Sequence, residues 1–168
     1  MMICGIDPGY SGGIAYIETI DKLLTAERVP IYKAKIGAKK RNYLDVWKIT
    51  KTLSEMKPDH CFIEKQQAMP QQGVSSTFFT GLNYGIYLGL LVALNVPYTE
   101  VHPKVWKKAL LCNKDKELSR KRASELMPHG SELWSKKSDE GVAEAALIAY
   151  YGINYLSRSG SYEQSGCS

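Results

Sequence analysis

The stretch Ile3-Cys4-Gly5-Ile6-Asp7-Pro8-Gly9-Tyr10-Ser11-Gly12-Gly13-Ile14-Ala15-Tyr16-Ile17 decides how this chain folds. An apolar run ends in one acid and a group of glycines, then resumes with alternating apolar residues. Residues 2–7 and 13–18 read as two strands joined by a Gly-rich turn, and residues 23–33 supply a third antiparallel strand. Asp7 sits where the first strand should be most buried. An unpaired carboxylate there is costly, so it needs a partner cation, a metal ion or a raised pKa. Before Pro8-Gly9 it can also be read as a plain turn residue.

The rest of the chain extends this meander into an α/β domain. Asn42 followed by Asp45 has the spacing of a helix N-cap with its capping-box acid, and Leu44, Trp47, Ile49, Leu53 and Met56 follow at helical spacing up to Pro58. His60-Cys61-Phe62-Ile63 is a short apolar strand, parallel to the first by a right-handed crossover, and it ends in Glu64. A polar loop then leads to a helix over 77–94 that is apolar all round, with Gly81, Gly85 and Gly89 four apart on one face. Such a helix must be covered on two sides, and a second subunit is the economical cover. A strand over 98–101, a basic helical region over 103–127 and a helix opening near Ser138 complete the domain at about residue 156. Residues 157–168, rich in Ser and Gly, read as a flexible tail.

Composition narrows the class of protein. The chain has 168 residues, 44% hydrophobic and 23% charged, which suits one soluble globular domain. Its 22 Lys and Arg against 17 Asp and Glu give a net charge of +5, which favours a polyanionic partner. Cys4, Cys61, Cys112 and Cys167 lack metal-ligand spacing and the density of a disulfide scaffold. They read as reduced thiols, and the absence of a signal-peptide pattern gives an expectation of an intracellular protein. The apolar stretch over 78–96 is interrupted by Thr80, Asn83, Asn95 and glycines, so no membrane span is expected.

Two further acids share the oddity of Asp7. Glu64 ends the strand expected beside the first, and Glu144 lies between Ala143 and Ala145 on an apolar helix. Adjacent strands about 5 Å apart would set Asp7 beside Glu64, where like charges repel. A divalent cation relieves both problems, and oxygen ligands without His or Cys point to magnesium or manganese. Glu140, one turn before Glu144, can address the same site, although acids in a first helical turn also serve the helix dipole.

These motifs, in this order, resemble the RuvC-type Holliday junction resolvases of the RNase H-like nucleases, and most the phage, viral and plastid members. The likeness rests on Gly5-Ile6-Asp7-Pro8-Gly9, Phe62-Ile63-Glu64, Gly81-Leu82-Asn83-Tyr84-Gly85 and Asp139-Glu140-Gly141-Val142-Ala143-Glu144-Ala145, and runs to about residue 156. It implies an RNase H-like fold, a five-stranded mixed sheet flanked by helices. It also implies an endonuclease that cuts four-way DNA junctions by paired symmetric hydrolysis as a homodimer, with two magnesium ions per site and manganese as a substitute. By position, the catalytic and metal-binding carboxylates it implies are Asp7, Glu64, Glu140 and Glu144. The sequence departs from bacterial members in its last acidic pair, four apart rather than three, with Asp139 competing for the first role. It also has Gln66, Gln67 and Met69 where those members place an aromatic.

Lys107 and Lys116, in a basic band over 104–122, fall nearest the family lysines that contact DNA. A second basic group, Lys33, Lys35, Lys39, Lys40 and Arg41, precedes the first helix and could track a duplex arm. Trp106, Phe78 and Phe79 suit either base stacking or the core. The Asp-x-Gly hairpin also resembles the phosphate loop of actin-like ATPases, which need two such domains. Closer rivals are a YqgF-like nuclease acting on RNA or other branched DNA, and a non-catalytic junction binder.

Overall fold

The structure, a computed structural model, describes residues 1–19, 22–36, 39–112 and 116–163. Strands β1 (Ile3–Asp7), β2 (Gly13–Thr19) and β3 (Lys22–Arg28) form the antiparallel meander. The third strand ends at Arg28, because Pro30 interrupts the run and the chain leaves the sheet. Strands β4 (Ile31–Ile36) and β5 (Lys39–Leu44) then pair as a separate two-stranded ribbon carrying the second basic group. Asn42 lies within β5 rather than at a helix start. Asp45 is the N-cap of α1 (Val46–Met56), its Oδ1 accepting from the Lys48 amide at 3.1 Å. Ile49 and Leu53 of that helix are buried, whereas Trp47 points to solvent.

Strand β6 (His60–Glu64) lies parallel to β1, helix α2 spans Val74–Ala93, and β7 (Tyr98–Val101) lies parallel to β6. The sheet order is β3-β2-β1-β6-β7, the five-stranded mixed sheet expected. The basic region divides into α3 (Pro103–Ala109) and α4 (Lys116–Leu126), and 3-10 segments at Pro128–Trp134 and Lys137–Asp139 lead to α5 (Glu140–Glu163). This last helix continues beyond residue 156, where a flexible tail was expected to begin. Ser157 lies within it, its hydroxyl donating to the Ile153 carbonyl at 2.8 Å. Residues 164–168 lie outside the described residues, among them Cys167; Cys4, Cys61 and Cys112 are free and buried.

Alternation along the strands feeds two cores. Ile3, Ala15, Ile17 and Phe62 pack with Trp106, Trp134 and the alanine-rich ridge of α5. Cys4, Ile6, Ile14, Tyr16 and Ile63 pack on the opposite face with Ile49, Leu53, Tyr87 and Leu91 of α1 and α2.

The contact between α5 and the sheet is a backbone contact. A Cβ on Gly5 would lie 2.2 Å from the Ala145 carbonyl oxygen, and one on Gly13 would lie 2.6 Å from that of Gly141. One on Gly141 would lie 2.1 Å from the Ser11 oxygen, and Gly12 and Gly141 form a parallel backbone bridge. The turn glycines therefore seat the start of α5. Gly9 differs: the nearest atom to a Cβ added there would be Asp7 Oδ1 at 3.7 Å, so this glycine keeps open space.

Helix α2 is less covered. Asn83, Tyr87 and Leu91 face the core, while Gly81, Gly85 and Gly89 have nothing within 4 Å of an added Cβ. Phe78, Leu82 and Val92 are exposed beside them. By length and composition this helix could cross a membrane, but its inner ridge is part of the domain core.

Candidate active site

Strands β1 and β6 run in register with Ile6 opposite Ile63, so Asp7 and Glu64 close neighbouring strands at the same sheet edge. Gly5 faces α5, and two residues further Asp7 faces it too. The seating of Ala145 on Gly5 then carries Glu144, one residue earlier, to the same edge. Three acids separated widely in sequence thus converge through strand parity and a glycine-mediated helix contact.

Their partners differ. Glu64 Oε2 accepts from the Trp106 indole Nε1 at 2.9 Å, and Oε1 accepts from the Gln66 amide nitrogen at 3.3 Å. Glu144 Oε1 accepts from Lys107 Nζ at 2.7 Å and from the Ser119 hydroxyl at 2.9 Å. Among the described residues, Asp7 Oδ1 accepts only a long bond from the Gly9 amide, at 3.4 Å. Burial, followed by the nearby charges of Glu64 and Glu144, pushes the Asp7 carboxyl up to about 7. Burial, opposed by the Trp106 hydrogen bond, also raises Glu64. Burial works against the Lys107 ammonium, but the hydrogen bond and charge of Glu144, with Glu64 and Asp7 behind it, hold its pKa above the ordinary value. Among the described residues Lys107 is the lysine that faces these three carboxylates, which leaves the group short of positive charge.

That deficit and the all-oxygen donor set fit a hard divalent cation. Among the described residues no three His, Cys, Asp or Glu side chains stand together as ligands of one ion as placed; Lys107 and Trp106 engage Glu144 and Glu64. Asp7, Glu140 and Glu144 line one open cavity of about 770 Å³ together with Tyr10, Arg28 and Asn42. Asp139 is turned elsewhere. Arg28 Nε donates to its Oδ1 at 2.8 Å, and Arg28 outweighs burial to hold its pKa low. Of the two acids that compete at the start of α5, Glu140 is the one that lines this cavity with Asp7.

Of the lysines expected at DNA, Lys107 belongs to the acid group itself. Lys116 opens α4, but its side chain lies outside the described residues, as does Lys114. Trp106 is fully buried and holds Glu64, so its role here is support rather than stacking. The position of Ser119 on Glu144 had no sequence signal, being one serine on a basic helix. The Arg28–Asp139 pair was equally hidden, since 111 positions separate its members.

No protein-family model and no curated relative matches the chain. Solved structures do. The chain is similar to Thermus thermophilus RuvC in complex with a Holliday junction substrate, with a TM-score of 0.67 at 18% identity over 95% of this chain and 96% of that one. A second Thermus thermophilus RuvC structure gives 0.60 at 18% identity, over 95% and 97% of the two chains. The yeast mitochondrial Holliday junction resolvase gives 0.56 at 15% identity, over 96% and 81%. The fold is RNase H-like, and within that class it is the RuvC-type resolvase fold, shared over nearly the full length.

Proposed function

We propose that this chain is a metal-dependent, structure-selective endodeoxyribonuclease that resolves four-way DNA junctions by paired symmetric cuts, acting as a homodimer. The observation that carries the reading is the buried acid group of Asp7, Glu64 and Glu144, short of positive charge, at the edge of a resolvase-type sheet. The net charge of +5 suits a polyanionic substrate, and the junction DNA bound by the Thermus structure indicates its class.

Asp7, Glu64, Glu140 and Glu144 would hold magnesium, two ions per site, with manganese as a substitute. When bound, such ions activate a water and stabilise the leaving oxygen of a phosphodiester. The chain's own residues do the positioning. Trp106 fixes one oxygen of Glu64 and Ser119 fixes Glu144, which keeps both carboxylates oriented toward Asp7. Lys107 neutralises Glu144 and, were a cation to hold that carboxylate, would be free to contact a phosphate. Arg28, holding Asp139, keeps that acid from competing for the ion. The uncovered face of α2, with its three open glycines and exposed Phe78, Leu82 and Val92, supports a second copy as its cover. Two-fold symmetry would set two acid sites on two strands.

The test is a digest of end-labelled mobile four-way junction, linear duplex and single-stranded RNA, each with magnesium and with EDTA. Magnesium-dependent linear products from the junction, and far slower cutting of duplex and RNA, are expected. Faster cutting of RNA would replace junction DNA with the RNA-directed reading, cutting that persists in EDTA would remove the metal requirement, and absent cutting would remove the nuclease.

A further inference from the structure

A second cavity, of about 470 Å³, adjoins the acid cavity and shares Gly9 and Tyr10 with it as a common wall. Its other walls come from the β4–β5 ribbon, through Arg41, and from α2, through Phe79, Thr80 and Asn83. We infer that this cavity receives one unstacked nucleobase of the strand being cut, and so sets the base preference at the nucleotide beside the scissile phosphate.

Two independent features point to a base. The first is a planar platform. The Arg41 guanidinium lies 4.0 Å over the Phe79 ring, and its terminal nitrogen donates to the Ser75 hydroxyl at 3.1 Å, which holds the fork face-on. Tyr43 steadies Phe79 from the edge, with ring centroids 6.0 Å apart. Guanidinium and ring faces are the surfaces on which splayed bases stack, in a sequence-tolerant way. The second feature is Asn83. It is 6% exposed, lines this cavity, and its carboxamide has no hydrogen-bond partner among the described residues. A carboxamide offers a donor and an acceptor side by side, the pattern that reads a base edge. The volume falls within the roughly 300–1,000 Å³ of small-molecule sites.

The location fits the chemistry. A phosphate at the acid group and a base in the second cavity would lie on either side of the Gly9-Tyr10 wall, as the parts of adjoining nucleotides do. Unstacking costs least where pairing is already interrupted, as at a branch point. The inference rests on the nuclease reading for its substrate but not on the metal site for its evidence.

The experiment uses junctions whose nucleotide flanking the cut carries each of the four bases or an abasic site. Binding is measured in calcium and EDTA by mobility shift, and cutting in magnesium. Wild-type protein should prefer one base by roughly tenfold and bind the abasic junction more weakly. Asn83→Leu, close in size, should retain magnesium-dependent cutting but lose the preference, while Phe79→Ala should bring base-containing junctions down to the abasic affinity. Equal handling of all five junctions by wild-type protein, or a preference unchanged in Asn83→Leu, would overturn the pocket while leaving the nuclease intact. Absence of cutting would remove the nuclease, and the abasic comparison in calcium would still decide the pocket.

Discussion

Helices α5 and α2 both depend on closely spaced glycines, yet the two sets behave oppositely. Gly5, Gly12, Gly13 and Gly141 have no room for a methyl group, and their loss of Cβ lets α5 rest on the sheet backbone. Gly81, Gly85 and Gly89 have open space, although glycine in a helix costs about 1 kcal/mol relative to alanine. The first set is explained within one chain and builds the acid site. The second has no such explanation among the described residues, and the proposed dimer would supply one.

The sharpest way to break this contrast is one methyl group at each place. Gly5→Ala should cost more than about 3 kcal/mol, because the obstructing atoms are helix backbone. Gly85→Ala should leave the monomer as stable or up to about 1 kcal/mol more so, and should weaken self-association. Urea denaturation of both variants checks this, and similar losses at both positions would erase the distinction.

A somewhat smaller effect comes from charge in the α5 site. The Asp7 carboxyl titrates near 7 in the folded chain and near 3.8 when exposed, so between those values the folded chain holds a proton that the unfolded chain has lost. The contribution is therefore full at the acid end and is lost as pH rises through 7. In EDTA, stability should fall by roughly 2–3 kcal/mol from pH 5 to pH 7. Asp7→Asn should flatten the curve and abolish cutting while junction binding persists, as denaturation and mobility-shift assays would report.

On the α2 side, Ile86 leans on the core cluster, so Leu82, 43% exposed, is the better place to probe an outward surface. Leu82→Asp should raise the dimer dissociation constant by roughly tenfold or more, a loss of about 1.4 kcal/mol, with the fold intact in sedimentation and circular dichroism. A wild-type chain that sediments as a monomer at micromolar concentration would remove the dimer. The smallest effect belongs to Arg28→Ala. The arginine is half-exposed, so the pair should contribute less than about 1 kcal/mol, read as a small shift in thermal midpoint.

What the sequence disclosed divides along the same line. Strand parity and short apolar runs located β1, β2, β6 and β7 and placed Asp7 beside Glu64, because period-two alternation and a parallel crossover leave few alternatives. The ribbon β4–β5 was not foreseen, its basic residues being read only as a group before the first helix, since alternating lysines look like solvated surface until their cross-strand partners are known. Glu144 stood out by its apolar neighbours. The groups that hold the acids, Trp106 and Ser119, did not, because an aromatic or a serine on a helix has an ordinary use whose replacement only tertiary contact reveals. The glycines between the first two strands were read as a turn, whereas Gly12 and Gly13 also serve close approach to α5. Residue 156 as a boundary followed composition, and the helix carried on under its own hydrogen bonds.

The central claim is that α5, seated on glycine, completes an acid group that requires a divalent cation. Manganese titration followed by electron paramagnetic resonance tests it without substrate. Wild-type protein should bind manganese saturably, with binding weakened at least roughly tenfold by Asp7→Asn and by Glu144→Gln. Undiminished manganese affinity in both variants would contradict the account and place the cation elsewhere.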